Sequence, residues 1–245
     1  MSGLDGSRVL VTGAHRGIGA ACARAFAAAG ARVACADIRA PEATLAALDG
    51  GDTAHRALVC DVADEGSVAA MVAEVGQAFG GLDVLVHCAG VIHEAPLLET
   101  DVDAFDRVIA INLRGSFLVG KAAIAMMQGR GGRVILTASD LAYSGRETFS
   151  PYVASKHGVL GLMRSWAKEF APGILVNALC PGPIDTEMLG AATMSEEWRA
   201  RELDIPLGRF GRPEEIAAMA VFLAGPGGAF VTGQGIGVNG GSVMA

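Results

Sequence analysis

The run Thr12-Gly-Ala-His-Arg-Gly-Ile-Gly19 separates two stretches of different periodicity. Before it, Arg8-Val-Leu-Val-Thr12 is short, β-branched and apolar, the pattern of a strand buried on both faces. After it, the alanine-rich residues 18–29 read as a helix. A glycine-rich turn that follows a strand and opens a helix is a context that holds a dinucleotide pyrophosphate. Gly13, Gly17 and Gly19 let the backbone bend and the phosphates approach the positive helix end. The spacing is GxxxGxG rather than GxGxxG, and glycines also mark ordinary loops, so the turn needs support from its surroundings. The next apolar run, 32–37, supplies it by ending on Asp37, placed where a carboxylate accepts hydrogen bonds from an adenosine ribose.

Outward from this turn the chain alternates short apolar runs with helical stretches. Further strands are expected at 57–61, 82–87, 133–137, 174–179 and 235–238. Strands that are apolar throughout and separated by helices form a parallel sheet covered on both faces. The expectation is an α/β, doubly wound, Rossmann-type fold of about seven strands. With 245 residues, no internal repeat and no Pro/Ser-rich linker, the chain reads as a single domain over 1–245.

Composition narrows the classes. With 51% hydrophobic residues, 18% charged and 34 glycines, the chain is neither disordered nor low in complexity. A net charge of −7 and the lack of any basic run argue against nucleic acid and anionic membranes as partners. Residues 1–6 contain no apolar signal core, and the apolar stretch 25–38 is interrupted by Arg32 and Asp37, so a cytoplasmic protein is expected. Cys22, Cys35, Cys60, Cys88 and Cys180 fall singly in apolar segments, which suits reduced thiols, with Cys88 alone near a cleft. The histidines are scattered, and no metal site is expected.

The stretch 139–156 holds a hydroxyl, a phenol and an ammonium. Tyr152, Lys156, Leu160, Met163, Trp166, Ala167 and Phe170 recur at helical spacing, so Tyr152 and Lys156 share a face one turn apart. A phenol titrates near 10, and to exchange protons around neutral pH it needs a positive neighbour that favours the phenolate. Lys156 is placed to supply that charge, and Ser139, just past the apolar run 133–137, to hydrogen-bond a substrate oxygen.

These residues resemble the classical short-chain dehydrogenases/reductases. The resemblance covers nearly the whole chain, with its parts in family order: Thr12 to Gly19, Asp61-Val62, Ala89-Gly90, Asn112, Ser139, Tyr152 with Lys156, Pro181-Gly182 with Thr186, and Gly211-Arg-Pro-Glu-Glu-Ile216. It implies a nicotinamide dinucleotide cofactor and hydride transfer between that cofactor and a secondary alcohol or ketone. In that scheme Tyr152 is the general acid/base, Lys156 lowers its pKa and holds the nicotinamide ribose, and Ser139 orients the substrate oxygen. Asn112 would hold a water linking Lys156 to solvent. Asp61 and Val62 would flank the adenine, Ile18 would approach the nicotinamide, and Ile184 and Thr186 would bond its carboxamide.

Departures from the family pattern bear on the cofactor. His87-Cys-Ala-Gly90 replaces the frequent Asn-Asn-Ala-Gly, which leaves main-chain contacts from Ala89 and Gly90, and Asn239 stands where an Asp is common. Arg16 resembles the basic residue of NADP-binding relatives and conflicts with Asp37. An NADP phosphate carries a charge of about −1.5 to −2, and each unit pair at about 4 Å costs about 4 kcal/mol at an effective dielectric of about 20. Arg16 offsets only part of that, so NAD is the expected cofactor.

The loop 140–151 and a lid at about 187–207 should wall the substrate pocket, with Met188, Leu189, Met194, Trp198 and Leu203 as apolar lid residues. Arg146 is placed to meet a carboxylate, and His93 or Tyr143 a polar group. A second reading within the family is an NADPH-dependent 3-oxoacyl thioester reductase, which would need a basic docking patch. A reading from another class is a non-catalytic dinucleotide-binding regulator, which would lack Tyr152 or Lys156. Family members usually form homotetramers through helices that here would be 101–127 and 152–170 and through the final strand, with Ala122, Ala123, Ala125 and Trp166 as packing surface.

Overall fold

The computed structural model describes residues 3–49 and 55–244; residues 1 and 2, part of the leader reading above, lie outside them. The strands are β1 (Arg8–Thr12), β2 (Arg32–Asp37), β3 (Arg56–Val59), β4 (Val84–His87), β5 (Gly132–Thr137), β6 (Ile174–Pro181) and β7 (Gly235–Val238). Among the described residues they form one parallel sheet in the order β3-β2-β1-β4-β5-β6-β7. The helices are α1 (Gly17–Ala28), α2 (Glu42–Ala46), α3 (Glu65–Phe79), α4 (Val102–Val108), α5 (Gly115–Met127), α6 (Leu141–Ser144), α7 (Ser150–Phe170), α8 (Glu196–Leu203) and α9 (Pro213–Ala224).

Strand alternation sorts the apolar side chains into two cores. Leu10, Leu85, Val134, Leu136 and Val176 face one side and pack with residues of α3, α5 and α7. Val9, Val11, Val33, Val86, Ile135 and Leu179 face the other and pack with residues of α1 and α9. Both faces are therefore dry, which is why the strands read as continuous apolar runs. Trp166 is consumed here: a Cβ on Gly120 would lie 2.4 Å from its ring, so α5 and α7 approach closely through that glycine. With Ala123 also buried, neither residue is available as subunit surface.

Some strand ends differ from the sequence expectation for local reasons. β4 begins at Val84 because Asp83 gives its carboxylate to the backbone N–H of Arg8, at 2.8 Å, and to the Arg8 guanidinium. β6 runs on to Pro181 because the N–H groups of Ala138 and Asp140 bond the carbonyls of Leu179 and Pro181. That extension draws the segment after β5 alongside the end of β6. The helical stretch Val102–Met127 is long and apolar enough to cross a membrane, but half of its most apolar window is buried within the protein.

Candidate active site

The strand order reverses between β1 and β4, which opens a crevice beyond the carboxyl ends of the central strands. Thr12, His87, Thr137 and Pro181 end those strands and carry the loops that line it. Gly13 turns with φ +69°, and a Cβ there would stand 2.6 Å from the Ala89 nitrogen, so the first turn lies directly on the Ala89-Gly90 segment. Gly19 packs on the Gly13 carbonyl in the same way. The N-terminus of α1 has no side-chain cap and no acidic residue in its first turn, whereas Asp64, Asp101 and Ser195 cap α3, α4 and α8. Uncapped N–H groups at a positive helix end fit a dinucleotide pyrophosphate.

Asp37 stands beside this turn, its carboxylate accepting from the N–H of His15 at 3.1 Å and of Arg39 at 3.3 Å. Asp61 is exposed, whereas the side chain of Val62 is buried against Gly115. Arg16 is ion-paired with Glu187, which begins the segment 187–207. Half-buried Thr186 packs its methyl toward Gly17, and Ile18 is half-buried next to it. The N–H of Asp185 and the carbonyl of Pro183 bond Gly211, so the polar groups of Ile184 between them face the opposite side.

Ser139, Tyr152, Lys156 and Asn112 converge at the other end of the crevice. Lys156 is buried, and its Nζ donates to the Thr137 carbonyl at 2.7 Å while lying over the Tyr152 ring, 5.7 Å from the centroid. Burial pushes the ammonium down to about 8. Burial pushes the phenol up to about 12; the Ser139 hydroxyl pulls it back, and the Asp140 charge pushes it further up. The lowering expected from Lys156 is opposed by burial, which disfavours the phenolate, and the ammonium is engaged by the Thr137 carbonyl.

Asn112 sits in a π turn, Ile109–Arg114, inserted between α4 and α5. Its Oδ1 accepts from the Val91 N–H at 2.8 Å, and its Nδ2 donates to the Val91 carbonyl at 2.9 Å and to Ser155 Oγ at 3.1 Å. Ser155 in turn donates to the Tyr152 carbonyl, which ties the π turn to the turn of α7 that carries the phenol. Both amide hydrogens are used, so a water at Asn112 would have to donate to an oxygen. Gly90 lies between this amide and the ammonium: a Cβ there would be 3.3 Å from Asn112 Oδ1 and 3.5 Å from Lys156 Nζ.

Several features of the site are not signalled in the sequence. Asp140 is buried next to Ser139, accepting from Ser139 Oγ and from Ser242 of the C-terminal tail. His87 shares its Nδ1 with Thr12 Oγ1 at 2.7 Å, while its buried Nε2 has no partner, and burial pushes it down to about 3. Arg146, expected to meet a carboxylate of the substrate, instead pairs with Glu202 of α8 at 2.5 Å and stacks between Phe149 and Trp198, at 5.1 and 5.0 Å. The Tyr143 hydroxyl lies against Gly235, and His93 Nε2 is buried without a partner. Cys88 is partly accessible, and the other cysteines are buried. Only a spatial partner from a distant segment would have revealed Asp140 or Arg146.

The family described as Enoyl-(Acyl carrier protein) reductase matches residues 13–243. The D-threitol dehydrogenase of Mycolicibacterium smegmatis is 43% identical over 242 residues, 97% of this chain and 93% of that protein. The 3-oxoacyl-[acyl-carrier-protein] reductase FabG of Thermotoga maritima is 38% identical over 246 residues, 98% of this chain and 99% of that one. The crystal structure of a dehydrogenase/reductase from Sinorhizobium meliloti superposes with a TM-score of 0.93 at 38% identity, covering 99% of this chain and 97% of that one.

Proposed function

The chain belongs to the classical short-chain dehydrogenase/reductase family, as an oxidoreductase of alcohols and ketones that uses a nicotinamide dinucleotide, and we propose that it works with NAD(H) through Tyr152. The observation that carries this reading is the meeting of Ser139, Tyr152 and Lys156 at the crevice that the uncapped end of α1 also lines. When bound, the cofactor supplies the hydride acceptor or donor. In the oxidative direction Tyr152 Oη, as the phenolate, would take the proton of the substrate hydroxyl, and in the reductive direction the phenol would return it. Lys156 holds the nicotinamide ribose, Ser139 orients the reacting oxygen, and Asn112 fixes the Val91 loop and, through Ser155, the Tyr152 turn.

Asp37 reads the adenosine ribose, and Arg16, held in an exposed pair with Glu187, offsets only part of the repulsion between Asp37 and an NADP phosphate. Gly13, Gly17 and Gly19 with Ile18 form the pyrophosphate turn. Asp61, Val62, Ala89, Gly90, Pro181, Ile184 and Thr186 complete the cofactor site, largely through main-chain groups. The chain acts as a single domain with residues 187–207 as its lid. Its free cysteines suit the reducing cytoplasm. We assign it a homotetramer, with support from exposed Phe105 and Phe117 on α4 and α5, from exposed Phe222 and Phe230, and from β7 as an open sheet edge. A screen of secondary alcohols, polyols, ketones and a 3-oxoacyl thioester against NAD(H) and NADP(H), read at the reduced nicotinamide absorbance, tests the reading. Turnover of the thioester alone, with NADPH, would overturn it.

A further inference from the structure

We infer that Cys22 and Cys88 are a peroxide-sensing thiol pair: hydrogen peroxide joins them in a disulfide that lowers the affinity of the crevice for its dinucleotide.

The two sulfurs come from distant segments. Cys22 lies on α1 just past Gly19, and Cys88 directly follows β4. Their thiols hydrogen-bond each other within one apolar core, Cys22 donating and Cys88 accepting. Thr137 Oγ1 donates a second bond to Cys88 Sγ at 3.4 Å, and the Lys156 ammonium acts on the same sulfur. These three groups favour the thiolate and hold the Cys88 thiol below its ordinary value against burial, whereas the bond to Cys88 and burial push Cys22 well up. Access divides the pair in the same sense, since Cys88 is partly accessible and Cys22 is buried. A nucleophilic, accessible thiol in contact with a protonated one is the arrangement that undergoes reversible oxidation.

The chemistry proceeds in two steps. The Cys88 thiolate attacks one oxygen of the peroxide; an S–O bond forms, the O–O bond breaks, and the departing hydroxide takes up the proton that Cys88 had released, giving water. Cys22 Sγ then attacks the sulfenic sulfur; the S–S bond forms, the S–O bond breaks, and the Cys22 proton leaves with hydroxide as a second water. The two thiols lose the electron pair that the peroxide gains. In a reducing compartment the bond is transient, which suits a sensor rather than a structural staple.

The effect on the crevice follows from how tightly its first turn is packed. A Cβ on Gly13 would stand 2.7 Å from the Cys88 carbonyl carbon, and one on Gly19 would stand 2.1 Å from the Gly13 carbonyl oxygen, so the turn is held between α1 and the residues after β4 without slack. A disulfide draws the sulfurs to about 2.05 Å, well inside any hydrogen bond. The approach of Cys22 to Cys88 must therefore move the turn relative to the N–H groups at the start of α1. This consequence rests on the placement of the cofactor at that turn; the disulfide itself does not.

The test treats the whole protein with hydrogen peroxide, then quenches it with catalase. A peptide map without reductant should join the Cys22 peptide to the Cys88 peptide, and dithiothreitol should separate them. Titration of NADH and NADPH by fluorescence should show affinity for the preferred cofactor falling about tenfold on oxidation, the worth of one charge-assisted hydrogen bond, and returning with dithiothreitol. Cys22→Ala, which leaves Cys88 without a partner, should keep its affinity through brief treatment and carry a sulfenic acid that dimedone traps at Cys88. The wild-type map decides alone if that variant does not fold. Absence of the Cys22–Cys88 link, or a link with unchanged affinity, would overturn the switch. Failure of untreated protein to bind either cofactor would instead remove the cofactor site, while the map would still decide whether the disulfide forms.

Discussion

Arg16 of the first glycine-rich turn is ion-paired with Glu187, so the pair joins that turn to the beginning of the segment 187–207. Both side chains are more than half exposed, so the pair contributes at most about 1 kcal/mol. It directs the guanidinium toward that segment but is weak enough to break, so the proposed preference for NAD rests mainly on Asp37.

Replacing Asp37 by Ala should weaken NAD and improve NADP. Loss of a charge-assisted hydrogen bond of about 1.5 to 3 kcal/mol lowers kcat/KM with NAD about ten-fold to a hundred-fold. Both cofactors are to be compared on wild type and variant with one substrate. A wild type that already favours NADP, or an unchanged ratio in the variant, would remove Asp37 from the ribose.

Tyr152→Phe keeps the ring packed against Phe149 and removes the transferable proton. Turnover should fall by about 10² to 10⁴-fold while NAD binding, followed by fluorescence titration, stays within about threefold. Retention of more than about a tenth of kcat would exclude the phenol as acid/base.

His87 makes the fold sensitive to acid. Its folded pKa, about 3, lies below the ordinary value of 6.5, so as pH falls below 6.5 the unfolded chain takes up a proton that the folded one refuses. Stability contributed above that range is lost as pH falls, by about 2 to 3 kcal/mol between pH ~6.5 and ~4.5 at about 1.36 kcal/mol per unit. Urea unfolding of wild type and His87→Asn at those two pH values should show a flatter pH dependence in the variant; parallel slopes would contradict the assignment.

The Arg146–Glu202 pair, with side chains only 14% and 10% exposed, should hold the lid closed. Glu202→Gln leaves a buried guanidinium without its countercharge, a change of about 3 kcal/mol for a well-buried pair. Amide exchange in residues 196–203 should accelerate and substrate KM should rise about tenfold, with a smaller change in kcat. Unaltered exchange there would show that the latch is not what fastens α8.

Phe230 is fully exposed at the sheet edge near β7. Light scattering at micromolar concentration should report a tetramer for wild type and a smaller species for Phe230→Asp, because a charge in an apolar contact is not matched across it. A monomeric wild type would rule the tetramer out.

The sequence by itself determined the fold class and which residues were candidates for chemistry. Apolar runs such as Arg8–Thr12 and Arg32–Asp37 carry their own period, and the first turn and the Tyr152-Lys156 spacing are local along the chain, so short-range sterics and helical geometry make them legible. What the side chains do to one another was decided only by tertiary structure. Tyr152 is pushed up because folding buries the phenol and disfavours its charged form, and Lys156 meets the carbonyl of Thr137, on a different element. Arg146 meets Glu202 rather than a ligand, and Asp140 is held by Ser242 from the far end of the chain. These partners are brought together by the sheet order and the returning tail, and hydrogen bonds and charges act over a few ångströms of space whatever the separation in sequence.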